Sequence, residues 1–260
     1  MSTRRRWTLR RIAAGAGRRV PLRPLRVLFP FRPWRALFRL WLASLAAQGD
    51  RRKAVRELLE VYADAYAGLD RAAVRYGGGV HPKHRLTGYH DFFVERIRPG
   101  ERVLDVGCGI GSVAHDLAER AQATVVGIDV SPWTLAFARE RHAHPNVRYV
   151  EADALAYEPD EPFDVAVLSN VLEHLDARLE LLRALRERAR AARLLVRVPS
   201  SERDWTVPLR RELGLPWFSD PEHVVEYTPE LLRAELAEAG WELGEPILAW
   251  GEIWAEARPA

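Results

Sequence analysis

The chain has 260 residues, 48% hydrophobic and 29% charged, a balance that supports one sizeable core and excludes a disordered or fibrous protein. Its single cysteine, Cys108, excludes an internal disulfide and a zinc site built on thiolates, and it fits a reducing compartment. The net charge of +3 conceals an asymmetry: residues 1–53 hold fifteen of the 39 Lys and Arg and one acid, Asp50, so this opening carries +14 and the remainder −11.

The opening, from Arg4-Arg5-Arg6-Trp7, superficially matches a twin-arginine export signal. Arg18 and Arg19 interrupt the apolar region such a signal needs, and Pro21, Pro24, Pro30 and Pro33 break the stretch after it. Leu40 to Gly49, the longest uncharged stretch nearby, is far short of the roughly 20 residues that cross a bilayer. The expectation is a cytoplasmic protein without a membrane span. From Pro33 the recurrence of Trp34, Leu37, Phe38, Trp41, Leu42 and Leu45 predicts an amphipathic helix, with Arg35 and Arg39 on another face. A second helix is predicted over about Arg51 to Leu69, and Gly77-Gly78-Gly79 breaks the pattern. A short helix then ends near Arg98-Pro99-Gly100.

Beyond Gly100 short apolar runs alternate with helical stretches. Val103–Val106, Thr124–Ile128, Val147–Val150, Asp164–Ser169 and Arg193–Val198 read as five strands of a parallel sheet covered on both faces. Residues 199–227 interrupt this rhythm with a Trp- and Pro-containing insertion. A helix is predicted from about Pro229 to Ala239, and Gly244 to Ala257 reads as a final strand pair.

The chemistry-bearing positions lie at the carboxyl ends of the predicted strands, where an open α/β sheet binds its ligand. The first strand runs into Asp105-Val106-Gly107-Cys108-Gly109-Ile110-Gly111, whose glycines let a ligand approach the backbone at the positive end of the following helix. Asp129 closes the second strand, where an acid can take both hydroxyls of a ribose. Asp153 comes after the third, placed to accept from an adenine amine, and Asn170 ends the fourth. The glycines are spaced G-x-G-x-G behind an acid rather than G-x-G-x-x-G, which argues against a nicotinamide reductase. With these four motifs, Arg102 to Ser200 resembles the class I S-adenosylmethionine-dependent methyltransferases.

That resemblance implies a Rossmann-like, doubly wound, mostly parallel seven-stranded sheet with an antiparallel C-terminal strand pair and an N-terminal helical extension. Together with the charge asymmetry and the helical runs ahead of Gly100, it divides the chain into a basic amphipathic arm (1–50), a helical lead-in (51–98) and a methyltransferase domain (99–260) with an acceptor-side insertion (199–227). S-adenosyl-L-methionine is the implied cofactor. Asp105, Gly107, Cys108, Gly109 and Gly111 would hold its methionine end, Asp129 its ribose with Val130 and Trp133 nearby, and Asp153 and Ala154 its adenine. Asn170 would lie beside the methionine. Ahead of the core, His84, Arg85, Tyr89 and His90 either close over the cofactor or are surface polar residues.

A hydroxyl acceptor must lose a proton during methyl transfer, through a base or a metal. The candidates are Glu173 and His174, directly after the fourth strand, and the distant His223. Glu173-His174-Leu175 is similar to the same stretch of ubiquinone-pathway O-methyltransferases. Glu173, His174 and His223, ahead of Glu226-Tyr227-Thr228, also resemble the metal-binding set of small-RNA 3′-terminal 2′-O-methyltransferases. Those enzymes have a further glutamate where this chain has Asn170, so no metal is assigned. The insertion resembles that of methyltransferases found with glycan and lipid biosynthesis enzymes. The expected acceptor is a small molecule, sugar or lipid-linked hydroxyl. The alternative is RNA 2′-O-methylation with the basic arm on phosphates. Because Trp34, Phe38 and Trp41 interleave with its arginines, the arm reads better as a peripheral anchor on an anionic membrane surface, at the inner face, than as a nucleic-acid tail.

Overall fold

The computed structural model describes residues 31–260; the first thirty residues of the expected arm, and the export-signal reading made on them, lie outside the described residues. The chain forms two compact units, the first ending at Ala73 and the second running Val74–Ala260. The first holds helix α1 (Phe31–Ala46) and most of α2 (Arg51–Tyr76). Pro33 falls in the first turn of α1, where its missing N–H breaks no helical bond. Asp50 accepts the Lys53 N–H at 3.0 Å and caps α2. That helix passes the predicted end at Leu69 because nothing in Asp70 to Tyr76 breaks it. It stops where Gly78 and Gly79 take φ of 69° and 104°.

In the second unit two short helices, α3 (Lys83–Leu86) and α4 (Tyr89–Val94), lead into alternating strands and helices. These are β1 (Arg102–Val106), α5 (Ser112–Arg120), β2 (Thr124–Asp129), α6 (Pro132–Arg141), β3 (Val147–Glu151) and β4 (Val165–Ser169). Next come a 3-10 turn (Leu172–His174), α7 (Arg178–Glu187), β5 (Arg193–Pro199), α8 (Thr206–Leu213) and α9 (Pro229–Glu238). The chain closes with β6 (Trp241–Leu243), β7 (Ile247–Ala249) and β8 (Glu252–Pro259). Sequence-local chemistry starts α6 and α9 in the same way, with a capping hydroxyl directly ahead of a proline. The Ser131 hydroxyl accepts from Thr134 N–H at 3.3 Å ahead of Pro132, and the Thr228 hydroxyl from Leu231 N–H at 3.2 Å ahead of Pro229.

The strand order is β3-β2-β1-β4-β5-β8-β6, with β7 also on β8. The first five strands pair in parallel and β8 runs antiparallel to β5. The expected seven strands are eight among the described residues, although the sheet is seven positions wide. β6 and β7 lie end to end along the edge of β8 that faces away from β5, pairing with Ala257–Pro259 and Glu252–Trp254. Pro246 between them has no N–H for the ladder, which splits the edge strand in two.

Period-two alternation sorts the strand side chains onto two cores. Leu104, Val106, Val126, Ile128, Ala166 and Leu168 face α7 and α9, against Leu181, Leu185, Leu232 and Leu236. Val103, Val125, Val165 and Val167 face the other way, against Phe92, Phe93, Leu117 and Leu135. Asp105 shares the side of Val103, so the first motif's carboxylate is directed into a protein interior at 1% exposure.

Candidate active site

β1 ends by running into the glycine loop. Gly107, Gly109 and Gly111 have φ of 64°, 52° and 80°, conformations in which a side chain is strained. A Cβ on Gly111 would lie 2.4 Å from Tyr149 Oη, and that hydroxyl is fixed by donating to His142 O at 2.9 Å. A Cβ on Gly107 would reach Val171 Cγ2 at 3.0 Å, whereas one on Gly109 meets nothing within 4 Å. The loop therefore packs against the segment after β4 on one side and is open at its middle glycine. Cys108 is buried, with its sulfur against Gly127, and burial pushes its thiol up, so it acts as packing.

Asp105 lies under this loop. Burial, then repulsion from Asp129, raises its carboxyl to about 7, and Oδ2 is buried without a hydrogen-bond partner. Asp129 is better supplied: Oδ2 accepts the Gly109 N–H at 2.9 Å and Oδ1 the Ser131 N–H at 2.8 Å. The Thr134 hydroxyl also reaches Oδ1, at 3.4 Å, whereas Oδ2 keeps a lone pair for a further donor. Beyond it Val130 and Trp133 are exposed, Trp133 at 67%. Asp153 is exposed and accepts the Leu155 N–H at 2.9 Å, while Ala154 packs on the core.

At the end of β4, Asn170 takes φ of 57°, held by its N–H donating to Arg197 O at 2.8 Å. Its Nδ2 donates to Glu173 Oε1 at 2.6 Å. Glu173 is fully buried; burial raises its carboxyl to about 7, and Oε2 and Asn170 Oδ1 are buried without partners. The insertion returns to this point. Val224 N–H donates to Glu173 O at 2.8 Å, which sets His223 against His174 with ring centroids 4.7 Å apart and edge to face. Glu173, His174 and His223 offer ligand atoms within 4.8 Å of one another, a set that fits a divalent cation. Burial, then His223, holds the His174 imidazole below its ordinary value, so it is neutral near pH 7.

Sequence reasoning did not single out what holds His223. Its Nδ1 lies 3.1 Å from Glu226 Oε1, and Glu226 is also bound by Arg203 and by the Ser219 hydroxyl at 2.6 Å. Burial pushes the Glu226 carboxyl up, but these hydrogen bonds outweigh it and hold it below the usual range. A carboxylate on Nδ1 fixes the proton there and leaves Nε2 as the acceptor nitrogen. A glutamate three residues after a histidine was the available signal. Sequence also left Tyr89 and His90 open; both are buried, which removes the surface reading for them. Tyr89 Oη lies 2.6 Å from His84 Nδ1, His90 Nδ1 2.7 Å from Asp116 Oδ2, and the Arg197 guanidinium 3.8 Å over the Tyr89 ring.

A family model described as a methyltransferase domain matches residues 103–193, the stretch from β1 to the start of β5. Residues 103–193 are a methyltransferase domain. Its family and fold imply S-adenosylmethionine as the cofactor. The chain is 40% identical over 95 residues to a ubiquinone biosynthesis O-methyltransferase of Pseudomonas fluorescens, covering 35% of this chain and 40% of that one. The chain thus spans well under half the length of this curated relative. Among solved structures, a TehB-like S-adenosylmethionine-dependent methyltransferase of Corynebacterium glutamicum superposes with a TM-score of 0.52 at 20% identity, covering 77% of this chain and all of that one. The small RNA methyltransferase HEN1 superposes with a TM-score of 0.54 at 20% identity, over 66% of this chain and 25% of that one. At these identities the two structures bear on the fold alone. The glycine-loop end of the methyltransferase domain fits the implied group, with an unpartnered buried Asp105 oxygen, an open approach at Gly109 and a spare acceptor position on Asp129 Oδ2.

Proposed function

We propose that this protein transfers a methyl group from S-adenosylmethionine to a hydroxyl of a small molecule, sugar or lipid-linked intermediate in the cytoplasm. The observation that carries this reading is the convergence of Glu173, His174 and His223 after β4, next to Val171, which touches the glycine loop. Asp105 and the Gly107–Gly111 loop with Cys108 would hold the methionine end, with Asn170 beside it. Asp129 would hold the ribose near Val130 and Trp133, and Asp153 and Ala154 would meet the adenine. When bound, the cofactor supplies an electrophilic methyl on a sulfonium.

The protein's own part is to align the acceptor oxygen, exclude water and take its proton. His174, neutral near pH 7, is the base. Glu226 keeps His223 in the tautomer whose Nε2 accepts, and Glu173 and Asn170 brace the turn. A second reading, 2′-O-methylation of RNA, is favoured by the same three residues, whose donor set fits a divalent cation.

Labelled methyl groups fed from S-adenosylmethionine into cell extract test both. Label in an organic-soluble or small-molecule fraction supports the first reading. Label in acid-precipitable, ribonuclease-sensitive material supports the second, and loss of activity with a chelator, restored by a divalent ion, would assign the triad to a metal. No labelled product, with no binding of S-adenosylhomocysteine by calorimetry, would overturn both.

A further inference from the structure

Helix α1 has a composition that a protein interior does not require. Trp34, Leu37, Phe38, Trp41 and Leu45 fall at spacings of three and four and so share one stripe. Leu37, Phe38 and Trp41 are 53%, 46% and 47% exposed, and the Phe38 and Trp41 rings touch with centroids 5.5 Å apart. Arg35 and Arg39, one turn apart and both exposed, flank the stripe, and α1 contains no carboxylate. The sequence around it is of the same sign: residues 1–30 contain nine arginines and no acid, and α2 opens with Arg51-Arg52-Lys53. Among the described residues no helix is long and apolar enough to cross a membrane.

We infer that α1 is a docking surface for an anionic lipid bilayer, on which it lies in the plane of the headgroups. Charge complementarity selects this occupant. A second copy of the chain would bring two strongly basic segments together, and a nucleic acid would use Arg35 and Arg39 while leaving the stripe of Leu37, Phe38 and Trp41 in water. A headgroup boundary takes both: anionic phosphates meet the guanidinium groups and the aromatic rings enter the acyl edge. The inference does not depend on which acceptor is methylated.

Flotation of the full chain with phosphatidylcholine vesicles, with and without phosphatidylglycerol, tests it. The chain is expected to float with the phosphatidylglycerol vesicles, and high salt should release it. Phe38→Asp and, separately, Arg35→Glu should each lower the bound fraction on the order of tenfold. Both variants should keep the wild-type melting temperature and S-adenosylhomocysteine binding. A full chain that ignores phosphatidylglycerol vesicles at low salt overturns the inference. So does a Phe38→Asp chain that melts several degrees lower or fails to fold, because the stripe then packs on the protein itself. Tight binding of a single-stranded RNA oligonucleotide that Arg35→Glu weakens and Phe38→Asp does not, with no vesicle binding, would give the helix to nucleic acid instead.

Discussion

At the β1–β2 end of the sheet the site is made of backbone. Three left-handed glycines, a helix N-terminus and the N–H groups of Gly109 and Ser131 on Asp129 define it, and all of them lie at the ends of two successive strands, between Gly107 and Ser131. At the β4–β5 end it is made of side chains from distant segments. His223 meets His174 only because Val224 is tied to Glu173 and because Glu226, Arg203 and Ser219 hold the returning insertion. A backbone site depends on conformations that only glycine adopts cheaply. A side-chain site depends on a few groups, each replaceable, that are positioned by others behind them. On the function proposed above, the cofactor would sit at the first kind of end and the acceptor at the second.

The sharpest test of the contrast removes the chemistry while sparing the frame. His174→Ala should lower turnover by about 10²–10⁴-fold with affinity for S-adenosylhomocysteine nearly unchanged, measured by steady-state kinetics beside calorimetry. Equal losses in both would show that the two ends are not separable.

Both ends nonetheless bury an acid, and this has a pH signature. The Asp105 carboxyl ionises near 3.8 in the unfolded chain and near 7 in the fold, because burial disfavours its charge. Between those values the folded state binds the more protons, so stability falls as pH rises from about 4 to about 7 and levels off above. Glu173, raised from 4.5 to about 7, acts in the same direction. Asp105→Asn should match the wild type near pH 4 and exceed it near pH 8, with a ceiling of about 4 kcal/mol. Urea melts at the two pH values measure it, and equal stabilities at both would remove the buried charge from the account.

The fold and the shape of the glycine-loop end were legible in the sequence because their signals are local. Strand runs of Val, Leu and Ile, the glycine spacing and the acids at strand ends each lie within a few residues of what they position. β6 was missed because the expected strand pair began at Gly244: three residues, Trp241–Leu243, are too few to show an alternation, and only their pairing with β8 makes them a strand. The union of Glu173, His174 and His223 was visible as residue types, and Glu226 three residues after His223 was a local signal, but Arg203 and Ser219 behind it were not, since a buried network has no periodicity. Glu226→Ala tests that network. It leaves Arg203, 19% exposed at its side chain, without its carboxylate and should cost roughly 3 kcal/mol in denaturant melts. The imidazole ¹⁵N shifts of His223 should move toward the other tautomer. Unchanged shifts would make Glu226 a structural anchor for the insertion and nothing more.

The glycine loop itself holds one large and one small expected effect on stability, and the pair separates packing from ligand access. Gly111→Ala sets a Cβ at 2.4 Å from a tyrosine hydroxyl that is pinned to His142 O, on top of a left-handed backbone. Overpacking and the conformational penalty together should cost about 2–4 kcal/mol, read as a fall in melting midpoint. Gly109→Ala carries the same kind of backbone penalty, φ being 52°, but its Cβ meets no protein atom within 4 Å. Its cost to folding should be only about 1 kcal/mol. If the space beside Gly109 is where the methionine end of S-adenosylmethionine approaches, the same methyl should weaken S-adenosylhomocysteine binding by on the order of tenfold or more, about 1.4 kcal/mol. A Gly109→Ala chain that binds S-adenosylhomocysteine as tightly as the wild type would mean that the cofactor does not approach the loop there. The glycine would then serve the turn alone, and the backbone account of this end would rest on Gly107, Gly111 and Asp129.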